Sequence, residues 1–189
     1  MKALVQLGQN LISLLLMVGL IVLGFLFFQS SQGKRESAQV VWGVNENGNP
    51  TIKAHNLTIH AEQQLSNSPG GKTGLRISGN YVVWDETLNQ PGKSSGIRIY
   101  DLAPRREIAI DSPAFVQRYA DISTDGVVVW NDSRNATGVK SPTDIYGYDL
   151  RTGMEFPVAV GPGIHFLPRI DGNWIIYLDW LPNQVLRSD

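Results

Sequence analysis

Cysteine is absent from the 189-residue chain. That absence excludes thiol nucleophiles, zinc–thiolate centres and disulfides. It leaves the compartment open, because an exported domain with a sufficient core does without disulfides. Charge is scarce as well: Asp, Glu, Lys and Arg make up 17% of the residues, against about a quarter in ordinary soluble domains. The net charge is −1, so there is no electrostatic basis for binding nucleic acid or an anionic membrane surface. Part of the deficit is local, since no side chain between Ala3 and Gly33 ionises.

Within that stretch, Leu11 to Phe28 (LISLLLMVGLIVLGFLFF) is apolar apart from Ser13, Gly19 and Gly24. As a helix it would rise about 27 Å, close to the thickness of a bilayer core. A buried globular helix would carry a polar face, and this segment has none. A cleaved signal peptide would have a shorter apolar region and a small-x-small cleavage site. Here Gln29 and Ser31 make a poor site, so the expectation is an uncleaved transmembrane anchor over 11–28. Residues 1–10 form its flank and 29–37 a polar stalk. Lys2 on one side and Lys34 with Arg35 on the other nearly cancel as orientation signals.

The remainder is periodic. RISGNYVVWDE (76–86), DISTDGVVVWND (121–132) and RIDGNWIIYLD (169–179) align, each closing a β-branched run on an aromatic: Trp84, Trp130 and Tyr177. Those aromatics lie 46 and 47 residues apart, and Trp42 in AQVVWGVNENG (38–48) stands 42 before Trp84. A second anchor repeats independently. IKAHNL (52–57), IRIYDL (97–102) and IYGYDL (145–150) put Asn56, Asp101 and Asp149 in register, 45 and 48 residues apart. The runs are too short for helices and are bounded by turn residues, so they read as strands. In IYGYDL, Tyr146 and Tyr148 share one face, and Ile145 and Gly147 the other. Gly153, in the turn that follows, suits a positive φ. Four short strands in about 46 residues match a β-propeller blade, which must recur because one blade cannot bury its own faces.

VVW followed by a polar turn and then DIYGYDLRTG resembles the repeats of bacterial and archaeal cell-surface β-propellers of the TolB type. The resemblance covers residues 38–189, is densest over 118–153 and thins towards 38–66. It implies an all-β chain of four-stranded blades, at approximately 38–66, 74–111, 118–160 and 166–189, preceded by the transmembrane helix. It also places residues 38–189 on the extracytoplasmic or periplasmic side of a single-pass membrane protein, and implies a non-enzymatic module that contacts a protein or an envelope polymer. Trp84-Asp85 is a single pair in the wrong half of the unit for tryptophan–aspartate repeats, and Gly70-Gly71 a single instance of the kelch double glycine.

Three units and part of a fourth fall short of the four to eight blades of a propeller, giving an incomplete ring. Asp144 follows Trp130 by 14 residues, whereas Asp189 follows Tyr177 by 12, so the next DIYxYDL is expected where the sequence stops. Three readings follow: a piece of a longer propeller, completion by self-association through open blade edges, or a smaller sandwich or open sheet.

Several motifs carry potential chemistry. SPGGKTG (68–74) has Ser66 where a phosphate loop needs glycine, and a strand follows where a helix is required; it is expected to be an inter-blade turn. His55 and His60 are five apart, on opposite faces of an extended strand, and His165 stands alone, so no metal site is expected. No G-x-S-x-G elbow occurs. The carboxylates Glu86, Asp132 and Asp179 recur two residues after each aromatic, a fold signature more than an active site. Asp132 is expected to bond turn amides or Arg134; NDSRN (131–135) lacks the density of a calcium loop. Trp84, Trp130, Trp174, Tyr146 and Tyr148 could floor a sugar site, but their repetition reads first as core or inter-blade packing. Asn56 and Asn135 head glycosylation sequons. No catalytic or metal residue and no cofactor is assigned, and the ligand-binding residues are left unknown. The alternatives are an N-terminal fragment of a larger envelope enzyme, peptidase or glycan-active, and a carbohydrate-binding propeller.

Overall fold

The computed structural model describes residues 39–90, 93–111, 115–136 and 143–180. The expected anchor at 11–28 and stalk at 29–37 lie outside them. Among the described residues no helix is long and apolar enough to cross a membrane; every regular element is a strand.

Among the described residues thirteen strands form four antiparallel sheets in chain order. Sheet A contains β1 (Gln39–Glu46), β2 (Asn49–Asn56) and β3 (Ala61–Gln64). Sheet B contains β4 (Lys72–Ser78), β5 (Tyr81–Gln90), β6 (Lys93–Asp101) and β7 (Arg106–Ile110). Sheet C contains β8 (Gln117–Ile122), β9 (Val127–Asp132), β10 (Asp144–Asp149) and β11 (Met154–Ala159). Sheet D contains β12 (Ile164–Asp171) and β13 (Trp174–Trp180). Trp42 lies on β1, as Trp84 lies on β5 and Trp130 on β9. Sheet A is therefore built from the counterparts of a blade's second to fourth strands, and sheet D from those of its first and second.

Each sheet packs on the next. Ile52, Ala54, Leu65, Val82, Trp84 and Leu102 form the core between A and B. Val83, Ile97, Ile99, Ile110, Ala120, Ile122, Val128 and Trp130 form the core between B and C. The strand β5 shows why its sequence is a continuous apolar run: Val82 and Trp84 face A while Val83 faces C, so alternation leaves no solvent side. Trp84 and Trp130 are both fully buried. The first strands β4 and β8 lie against one another, as do β8 and β12.

The second repeated anchor is a turn cap. The Asn56 side chain accepts the Thr58 and Ile59 amides at 2.9 and 3.2 Å. Asp101 accepts the Ala103 amide at 3.1 Å, and Asp149 the Arg151 and Thr152 amides at 2.8 and 3.3 Å. These Asx-turns close the last hairpin of each unit. Four residues after the cap the chain turns left-handed at His60 (φ 51°), Arg105 (φ 56°) and Gly153 (φ 71°). Only the last has the residue that conformation favours. The leucine after the aspartate locks the other end, with Leu102 N bonded to Asn80 O at 2.8 Å and Leu150 N to Gly126 O at 3.0 Å.

A Cβ on Gly153 would lie 3.6 Å from the Tyr148 hydroxyl, an ordinary contact, so substitution there tests backbone strain alone. Gly153→Ala is expected to lower stability by about 1 kcal/mol, read as a shift in the urea midpoint at unchanged slope.

Candidate functional site

The first strand of each unit carries a bulge at the same place. The register slips between Thr73 and Arg76, between Arg118 and Asp121, and between Phe166 and Arg169. The first bulged residue has positive φ in every case: Gly74 at 67°, Tyr119 at 58° and Leu167 at 55°. A bulge leaves backbone N–H groups unpaired in its own ladder, and at the β8 and β12 bulges a side chain of the preceding sheet accepts them. From β5 the Asp85 carboxylate accepts Tyr119 N at 2.8 Å and Ala120 N at 3.1 Å. From β9 the Asn131 carbonyl oxygen accepts Leu167 N at 2.9 Å, while its amide nitrogen donates to His165 O at 2.7 Å.

The choice of side chain follows the donors on offer. Tyr119 and Ala120 present two N–H groups, which an acceptor-only carboxylate matches. In sheet D the counterpart of Ala120 is Pro168, which has no N–H, so one acceptor and one donor suit the seam and asparagine fills the role. Burial pushes the Asp85 carboxyl above its ordinary 3.8, and the Ala120 and Tyr119 amides and the Arg118 and Arg76 charges oppose that rise.

Beside this bulge a cavity of about 330 Å³ is lined by Thr73, Asp85, Glu86, Ser95, Arg118 and Tyr119. Its wall is rigid. Ser95 Oγ bonds Gln117 O at 2.8 Å and accepts Gln117 N at 3.0 Å. Glu86, 2% exposed, pairs with Lys72 at 3.3 Å and Arg98 at 3.0 Å and accepts from the Ser68 hydroxyl. Arg98 also reaches Asp111 at 2.5 Å. Tyr119, half exposed at 48%, stands at the mouth with exposed Arg118.

The loop SPGGKTG is a turn of the kind opposite to a phosphate cradle. Lys72 Nζ donates to Ser68 O at 2.7 Å and Gly70 O at 2.9 Å, so its carbonyls converge on the loop's own lysine instead of its amides on an anion. A Cβ on Gly70 would collide with the Thr87 carbonyl oxygen.

The three carboxylates that follow the aromatics do three different things. Glu86 anchors the buried ion network. Asp132, fully buried, accepts Arg134 N at 2.8 Å, the Arg134 guanidinium at 2.7 Å and the Trp130 indole at 3.0 Å, the turn role expected for it. Arg134 continues to Glu155 and covers the Tyr146 ring at 3.9 Å. Asp179 faces His165 Nδ1 at 3.3 Å. Among the described residues no group of three or more His, Asp or Glu side chains is placed to hold a metal ion.

One expectation is corrected. His55 and His60 do not sit on opposite faces of one strand: a turn intervenes, and their rings approach to 6.3 Å. Of the repeated aromatics, Trp84 and Trp130 are packing residues, buried too deeply to floor a sugar site, Tyr146 and Tyr148 are half-buried against the B–C core, and Trp174 is 80% exposed on the outer face of sheet D. The pinning residues Asp85 and Asn131 were not singled out by the sequence. The available signal was a polar residue directly after an aromatic in an otherwise apolar buried run.

No family model and no curated protein matches the sequence. Solved structures do. TolB from Acinetobacter baumannii is 16% identical with a TM-score of 0.57, over 77% of this chain and 36% of that one. An oligogalacturonate lyase in complex with manganese is 15% identical with a TM-score of 0.57, over 80% of this chain and 45% of that one. The tricorn protease is 14% identical with a TM-score of 0.56, over 75% and 14%. The chain thus spans about a third of the TolB length.

Two outcomes test the seam and the turn. Asp85→Ala strands two amides and is expected to cost about 3 kcal/mol, with Asp85→Asn intermediate because one acceptor survives; chemical unfolding of both variants decides it. For Asp132, burial pulls the carboxyl up, but the Arg134 guanidinium, Trp130 indole and Arg134 amide outweigh it, leaving the group below its ordinary 3.8. Its stabilisation is therefore present above that value and lost as pH falls through the lowered one. Asp132→Asn is expected to flatten the unfolding midpoint in that acid window. From these seams and these neighbours together, the chain has the β-propeller fold.

Proposed function

We propose that the chain is a non-enzymatic, membrane-anchored β-propeller module, extracytoplasmic or periplasmic, that binds a protein or an envelope polymer through the bulge carrying Arg118 and Tyr119. The observation that carries this reading is the Tyr119 conformation. A bulky side chain at φ 58° is costly, and such strain concentrates at functional positions. Here a buried carboxylate bonds the amides of both bulged residues, which holds an exposed tyrosine and its neighbouring arginine in one orientation. Those two residue types dominate binding hot spots, and preorganisation lowers the entropy lost on association.

Support for the membrane placement comes from the uncharged apolar run Leu11–Phe28. The fold shared with TolB supports a binding module. A second reading, part of a larger envelope enzyme or a carbohydrate-binding propeller, is favoured by the same fold in a protease and an oligogalacturonate lyase.

Tyr119→Gly separates binding from folding, because glycine accepts the positive φ without penalty. Stability is expected to hold or rise, while capture of partners from envelope extract falls about tenfold, the effect of removing one modest hot spot. Undiminished capture by both Tyr119→Gly and Arg118→Ala would overturn the assignment of the bulge. Bond cleavage in envelope glycans or peptides by the purified chain would favour the enzyme reading.

A further inference from the structure

The cavity beside the β8 bulge has a floor and a rim of different character. Its floor is Asp85, Glu86 and Ser95, each 5% exposed or less. The carboxylates there are already engaged: Lys72 and Arg98 pair with Glu86, and both Asp85 oxygens accept amides of the bulge. The rim is Thr73, Thr87, Arg118 and Tyr119, all exposed. Two alcohols, a phenol and a guanidinium therefore meet the solvent, a set in which N–H and O–H donors predominate.

The charge balance at the rim favours an anion as well. The Arg118 and Arg76 guanidinia both act on the Asp85 carboxyl, which sets two positive charges against one negative. Unlike Arg98 and Arg134, neither is ion-paired among the described residues. A guanidinium matches a carboxylate through its paired N–H groups. Among the described bulges this one alone combines the cation with an aromatic alcohol. Thr73 and Gly74 hold the places of Arg118 and Tyr119 on β4, and Phe166 and Leu167 hold them on β12.

Two features decide what carries the anion. A volume of about 330 Å³ lies at the small end of ligand pockets, which suits one ring and not a folded segment. The bulge amides are spent on Asp85, and a bulge blunts its edge against an added peptide strand. A sugar acid needs neither. It carries its carboxylate and hydroxyls on one rigid frame, and the C–H face of that frame covers an aromatic ring.

We propose that this cavity binds a uronic acid residue of an acidic glycan, with its carboxylate on Arg118, its ring on Tyr119 and its hydroxyls on Thr73 and Thr87. The inference rests on the bulge being the binding surface and names what is bound there.

Three probes test it by calorimetry on the detergent-solubilised full chain: a hexauronate, the same oligomer with its carboxylates reduced to alcohols, and hexaglutamate. The hexauronate is expected to bind, and more weakly as salt rises. Arg118→Gln and Tyr119→Gly are each expected to weaken it about tenfold. Arg118→Lys is expected to recover part of the loss, because it keeps the charge without the paired N–H groups. Equal binding of the reduced oligomer would overturn the proposal, since the carboxylate would then play no part. Hexaglutamate binding as tightly as the hexauronate would overturn it in favour of an acidic peptide. Hexauronate binding untouched by either substitution would overturn the assignment to this cavity. No hexauronate binding, with capture from envelope extract still dependent on Tyr119, would overturn the sugar and keep the bulge as the binding surface. Loss of that dependence too would overturn both readings.

Discussion

Two hydrogen bonds from backbone amides to the Asp85 carboxylate hold the seam on which the rest of the domain is arranged. A four-stranded meander satisfies its own ladder but has two apolar faces, and packing alone would let neighbouring sheets slide. The bulge on β8 removes that freedom by presenting unpaired N–H groups at one height, and the acid of the previous sheet can meet them in one register only. The B–C core around Trp130 and Ile97 is then packed against a fixed partner. The same logic runs on at Asn131 with the donor and acceptor count adjusted for Pro168.

Burying charge in such a domain requires that each charged group be matched. Glu86 and Lys72 are both 2% exposed at the side chain, a placement that costs several kcal/mol per ion unless paired. The loop before β4 answers this by wrapping its carbonyls around Lys72, and Arg98 bridges Glu86 to Asp111. The buried ion pairs of sheet B thus lie where a strand is tied to a loop. On sheet C the matching cluster of Asp132, Arg134 and Glu155 lies nearer the surface and uses the Tyr146 ring as its floor.

The fold was legible in the sequence because its repeating signals are local. Trp84, Trp130 and their β-branched neighbours mark the second strands. Asn56, Asp101 and Asp149 mark the last hairpins, where each caps its own turn within three residues. The pinning position was illegible because its identity depends on a partner some 35 residues away: Gly43, Asp85, Asn131 and Leu178 share a place and nothing else. The carboxylates one position later did repeat in type, and they proved to have unrelated roles. Trp174 shows the same limit, since spacing identifies a strand without identifying what lies across from it. For His55 and His60, treating the interval as one strand missed the turn between them.

The inter-sheet bonds also span little chain. Asp85 reaches Tyr119 and Ala120 across 34 and 35 residues, and Asn131 reaches His165 and Leu167 across 34 and 36. Each bond joins a sheet to the next one in the chain, so no seam waits on a contact from a distant unit. The arrangement also suits emergence from one end, because domains order as synthesis proceeds. Sheets B and C, once formed, each offer a finished template with an acceptor already waiting at Asp85 or Asn131, and the next sheet needs only its first strand to engage it. Assembly can therefore advance like a ratchet, one blade at a time, without holding a long unfolded tail in reserve.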